Sequence, residues 1–158
     1  MKAASLNEIK QELENSTQKE LLGLCLRLAK YKKENKELLT FLLFEAGDLQ
    51  SYITNVKAEI DGQFSVINRS NLYFAKKTLR KILRTTNKFI KYSTSKQAEV
   101  ELLIYYCLKI KESGIAIHKS AALNNLFNIQ IIKINKALEL LHEDLQYDYM
   151  KEMQVFIE

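Results

Sequence analysis

Not one proline occurs in the 158 residues, and the four glycines, Gly23, Gly47, Gly62 and Gly114, all stand alone. Average usage would place roughly 8 prolines and roughly 11 glycines in a chain of this length. Sandwiches, barrels and doubly wound sheets turn often, and each tight turn draws on Gly, Pro or an Asn-Gly pair for its backbone angles. A chain that lacks them is expected to be helices joined by short turns. The same scarcity excludes the phosphate cradles GxGxxG and GxxxxGK and the nucleophile elbow GxSxG, because no two glycines stand close enough.

A chain of 18.4 kDa is expected to fold to a surface of roughly 8,000 Å² from roughly 27,000 Å² unfolded, enough burial for one real core. With 47% apolar and 27% charged residues the composition is globular, and residues 1–158 read as a single all-helical domain. Cys25 and Cys107 fall on apolar helical stripes, which suits reduced core thiols in a cytoplasmic protein better than a disulfide. No apolar leader opens the chain, and the longest apolar run, Leu102 to Leu108, is too short for a membrane span.

Capping signatures and apolar spacing predict seven to eight mostly antiparallel helices, packed as a bundle or a short stack of helix pairs. Ser5 with Glu8 and Thr17 with Glu20 open the first two. Lys36 to Ala46, apolar on almost every side, is expected at the centre of the core and to close on a left-handed Gly47. Leu49 to Ile67 follows at helical spacing, with Gly62 a weak point that could split it. Asn71 to Tyr92 is strongly amphipathic, a mostly buried helix runs to Gly114, and a long one starts near Ser120. The isoleucines at 129, 131, 132 and 134 are the one place where a strand competes.

Charge is unevenly placed along this pattern. From Gly62 to Ala98 there is no Asp or Glu, while Arg69, Lys76, Lys77, Arg80, Lys81, Arg84, Lys88, Lys91 and Lys96 are all basic. The rest of the chain holds 15 basic against 19 acidic residues, so this stretch supplies the whole net charge of +5. On a helix, Tyr73, Lys77, Arg80, Arg84, Lys88 and Lys91 line up over roughly 27 Å, opposite the Leu/Ile stripe. Such a face suits an acidic protein partner or a second copy of the chain. Nucleic acid is the alternative, with the cations on phosphates and Tyr73 and Tyr92 stacking on unpaired bases. An internal counterpart exists: Glu139, Glu143, Asp144, Asp148, Glu152 and Glu158 against Lys151 leave the last twenty residues at −5.

Catalytic and metal signals are thin. Glu139 and His142 match the Glu-x-x-His element of carboxylate-bridged di-iron bundles, but Ile115 stands three residues before His118, so no second copy exists. Cys25, Cys107, His118 and His142 lack the close pairing of zinc ligands. Core cysteines stay protonated and unreactive, and acid, base and oxyanion groups cannot be named. Neither an enzyme, a cofactor, a metal, a membrane contact nor a small-molecule substrate is expected; the binding set is Lys76, Lys77, Arg80, Lys81, Arg84, Lys88 and Lys91.

In KELLGLCLRLAKYKKENKELLTFLLFEA (Lys19 to Ala46), KKTLRKILRTTNKFIKYS (Lys76 to Ser93) and LHEDLQYDY (Leu141 to Tyr149), the chain resembles an uncharacterised all-helical family of Bacteroidota proteins. That resemblance implies a helical fold in a bacterial cytoplasm and no assigned activity.

Overall fold

Capping side chains open several of the helices where the sequence places them. In the computed structural model, which describes residues 2–157, eight α-helices are seen: α1 (Leu6–Glu14), α2 (Gln18–Tyr31), α3 (Lys33–Thr40), α4 (Leu49–Ser65), α5 (Leu72–Ser93), α6 (Lys96–Glu112), α7 (Ala121–Leu138) and α8 (Glu143–Ile157). A π-helical turn at Phe41–Glu45 follows α3, a 3-10 turn at Ile117–Lys119 precedes α7, and there is no strand among the described residues. Glu8 and Glu20 reach back to the backbone N–H groups of Ser5 and Thr17 at 2.7 and 2.8 Å, closing the two capping boxes. Asp48, Asn71 and Ser95 cap α4, α5 and α6 through their side chains.

The protein is an all-α helical bundle whose contacts fall into two compact units, Met1–Phe44 and Glu45–Glu158, where the sequence reads as one domain. In the second unit α6 is the axle. Val100, Leu102, Leu103, Ile104, Tyr106 and Cys107 are fully buried, so α6 is apolar all round, and α4, α5, α7 and α8 pack against it. Each of these contributes one stripe: Tyr52, Ile53, Val56 and Ile60 from α4, Leu79, Ile82 and Thr86 from α5, Phe127 and Ile134 from α7, Met153 and Phe156 from α8. Tyrosines tie the stripes together, Tyr52 Oη donating to the Phe89 carbonyl at 2.9 Å and Tyr106 Oη to the Leu79 carbonyl at 3.0 Å. Among the described residues, no helix is long and apolar enough to cross a membrane.

The first unit differs from its sequence reading. Within it α2 packs on α3, yet among its described residues Phe41 alone is buried. The segment expected at the centre of the core therefore lies open, with Leu42, Leu43 and Phe44 exposed by 57, 64 and 78%. Two segments of the chain are apolar on nearly all sides, and α6 takes the central place. Cys25 is likewise exposed, while Cys107 is a core thiol whose burial pushes it up to about 12. Of the two glycines expected to close helices, Gly114 (φ 70°) is left-handed and Gly47 is not, while Thr94 (φ 51°), the cap of α5, also takes that conformation. Helix α4 runs unbroken through Gly62. The isoleucine cluster is helical because Ile134 joins Phe127 and Gln130 on one buried face, leaving Ile129 and Ile132 outside.

Candidate functional site

The basic helix α5 is fixed by its buried side. Ala75, Leu79, Ile82, Thr86 and Ile90 recur every three or four residues and are buried, so the orientation of the opposite side follows from helix geometry. At 100° per residue, Lys77, Arg80, Lys81, Arg84, Lys88 and Lys91 fall within an arc of about 100°, almost diametrically across from that stripe. Lys76 stands apart on the flank, half-buried, with its ammonium 5.9 Å from the Tyr73 ring centroid. Lys88 is half-buried too, 4.9 Å from the Phe89 centroid, whereas Lys77, Arg80, Lys81, Arg84 and Lys91 are exposed. Among the described residues, no carboxylate pairs with Lys76, Lys77, Arg80, Lys81, Arg84 or Lys91.

At the start of α5, Tyr73 and Phe74 are exposed by 67 and 51% and meet edge to face, 5.5 Å between centroids. Tyr73 lies on the basic arc. Tyr92 does not: it is half-buried with its ring against Phe89 at 6.1 Å, so the two tyrosines do not form one stacking platform. At the far end, a cleft of about 520 Å³ between α5, α6 and α7 is lined by Lys91, Lys96 and Lys133. Lys133 extends the basic surface from another helix, which no local spacing in the sequence could signal. Lys96, by contrast, is neutralised by Glu99 at 2.6 Å.

The described acidic residues of the C-terminal helix do not pair with this face. Helix α8 packs on α6 and α7 through Tyr149, Met153 and Phe156, and its described carboxylates make no ion pair with α5. Glu158 lies outside the described residues. Glu139 and His142 sit in the turn between α7 and α8, so they do not share a helical face; His142 Nδ1 instead lies 3.4 Å from Asp144.

The charged groups that the fold does bury are used between helices. Along the parallel α4–α6 seam, Glu101 accepts from Lys57 Nζ at 2.6 Å and from Tyr149 Oη at 3.1 Å. One turn on, Asp61 accepts from Tyr105 Oη at 2.7 Å and pairs with Lys109 at 3.0 Å. Both ammoniums lie over the Tyr105 ring, at 5.3 and 5.2 Å. Burial works to raise the Asp61 carboxyl, but the Tyr105 bond and the Lys109 charge outweigh it and hold it below 3.8. The bond to Asp61 lifts Lys109 above 10.5.

A carboxyl lowered by folding adds stability that is present above its unfolded value and lost as pH falls through the folded one. A raised ammonium adds stability that is present below its unfolded value and lost as pH rises through its folded one. The pair is thus fully effective between about pH 4 and about pH 10. With Asp61 partly open to solvent, Asp61→Asn is expected to cost only about 0.5 kcal/mol at neutral pH. It should also flatten the acid limb of the stability curve below pH 4, where thermal melts of both proteins converge. Parallel melting curves down to about pH 2 would show that the pair contributes nothing.

Set against family models, curated proteins and solved structures, the chain matches none.

Proposed function

We propose that the chain is a non-enzymatic helical interaction module, working in a reducing cytoplasm, that docks an acidic protein surface on the basic face of α5. The observation that carries this is six cations on one arc of a helix locked in place by its opposite side, five of them exposed and without a carboxylate partner. Holding unpaired like charges along one face costs a few tenths of a kcal/mol per i,i+4 pair. An acidic partner reverses that cost, and opposite potentials speed encounter. Exposed Tyr73 and Phe74 at the end of the row supply the aromatic anchor that usually dominates such contacts. The buried charges support a binding rather than a catalytic role, since Lys57, Glu101, Asp61 and Lys109 hold helices together in pairs.

One observation favours a second reading, nucleic acid in place of protein: an exposed tyrosine beside a cationic row is also what stacks on an unpaired base. A labelled polyglutamate peptide and labelled single-stranded and duplex DNA separate the two. At about 50 mM salt the peptide is expected to bind more tightly than either DNA, and at about 300 mM its affinity is expected to fall at least tenfold. Arg80→Glu with Arg84→Glu should abolish binding while leaving the melting temperature within a few degrees, because both side chains are solvent-exposed. Tighter DNA binding, also lost in the double variant, supports the second reading; no binding to any probe leaves the face merely solvated.

A further inference from the structure

The first unit carries a feature that the basic face does not explain. Helices α2 and α3 and the turn after them carry many exposed apolar side chains. Around α2, the residues Leu21, Leu22, Leu24, Cys25, Leu26, Leu28 and Ala29 spread over an arc of about 200° at 100° per residue. A helix with one neighbour needs an apolar stripe of about half that width. Helix α2 has α3 on one side, and the rest of its arc is bare: Leu22, Leu26 and Leu28 are exposed by 60, 49 and 60%. Along α3 and the π turn, Leu42, Leu43 and Phe44 are as open.

Between the two helices runs a groove of about 240 Å³, lined by Cys25, Leu28, Ala29, Leu38, Leu39 and Leu42. At roughly 120 Å² per leucine and roughly 200 Å² for Phe44, the open side chains leave on the order of 600 Å² of apolar surface. That is the top of the range of about 300–600 Å² for the largest such patch on a typical monomer, and about 600 Å² is the lower end of what each partner contributes to a stable interface. We infer that this hairpin is a homodimerisation element: the α2–α3 pair of one chain packs on the same pair of a second copy, and the four helices close into a bundle around the leucines. A two-fold contact brings the same patch against itself, so one apolar surface is its own complement. Each wide arc then meets two neighbours, as every helix of a four-helix bundle does.

Light scattering on the full chain from about 1 to about 100 µM tests this, the expected mass at the upper end being twice 18.4 kDa. Leu28→Glu with Leu42→Glu places charges from both helices in the groove and is expected to weaken the dimer at least tenfold. Arg80→Glu with Arg84→Glu should leave it intact, which separates this inference from the fate of the basic face. A second readout needs no variant. Cys25 lines the groove and Cys107 is inert in the core, so maleimide labelling of the native protein reports Cys25 alone. Its rate is expected to fall as protein concentration rises through the dimerisation range. A monomer at every concentration, a constant labelling rate, or a dimer indifferent to both groove charges overturns the proposal. So does an open-ended series of larger species, which a closed two-fold contact does not allow.

Discussion

Tyr106→Ala is expected to remove about 4 kcal/mol of stability, a large share of the roughly 5–15 kcal/mol that holds a domain of this size together. Tyr106 is fully buried in α6, the helix that every other helix of the second unit touches. Its ring packs against Phe64 at 6.1 Å and its hydroxyl donates to the Leu79 carbonyl, so one side chain joins α4, α5 and α6. Removing the ring leaves a cavity at the point where three helices meet, and packed helices relax only partly into such a space. Tyr106→Phe separates the two contributions: the ring stays, the hydrogen bond goes, and the cost should be about 1 kcal/mol. Urea unfolding followed by circular dichroism gives both numbers. A loss for Tyr106→Ala no larger than that for Val155→Ala, at an exposed position where about 0.5 kcal/mol is the usual limit, would show that α6 is not the axle.

That α6 holds this position was only partly legible in the sequence. Each amphipathic helix could be read, because a single neighbour imposes a single stripe. Leu79, Ile82 and Thr86 on α5 and Leu123, Phe127 and Ile134 on α7 are buried as their spacing requires. Periodicity is silent where a segment is apolar all round. Leu102 to Leu108 and Leu38 to Phe44 look alike by that measure, yet one is the centre of the second unit, whereas in the other Phe41 alone is buried and Leu42, Leu43 and Phe44 are exposed. What separates them is the number of partners folded around each, a property of the whole chain. Apolar residues also accept an oligomer interface as readily as a core, and hydropathy cannot tell the two apart. The basic face fared better, since a buried stripe on α5 fixes where Lys77, Arg80, Arg84 and Lys91 must stand. Lys133 escaped because it joins that surface from α7, and Lys76 left it because one residue of helix turns it about 100° away from Lys77.

Lys57→Met is expected to cost about 2–3 kcal/mol, more than any other single charge removal in the chain. Its ammonium is the main partner of Glu101, whose side chain is only 11% exposed. Without it, that carboxylate keeps a single hydrogen bond, from Tyr149, in surroundings where an uncompensated charge is costly. The Lys57 side chain itself is 26% exposed, so water can reach the site and the loss falls short of that for a sealed ion pair. The reverse deletion is milder. Glu101→Gln leaves an ammonium on a flexible stem that can swing to solvent, and about 1 kcal/mol is expected. Combining Lys57→Met with Glu101→Leu should recover most of the loss, because two apolar side chains replace a desolvated pair. A packing defect would give additive losses, whereas a stranded charge gives a double variant more stable than Lys57→Met alone. Glu152 supplies an independent gauge. Burial raises its carboxyl above 4.5, the Lys57 charge opposes that rise, and the Glu101 charge adds to it. In Lys57→Met the Glu152 titration, followed by NMR, should therefore move to higher pH. An unmoved Glu152 together with additive losses would mean that the seam between α4 and α6 is held by shape and not by charge.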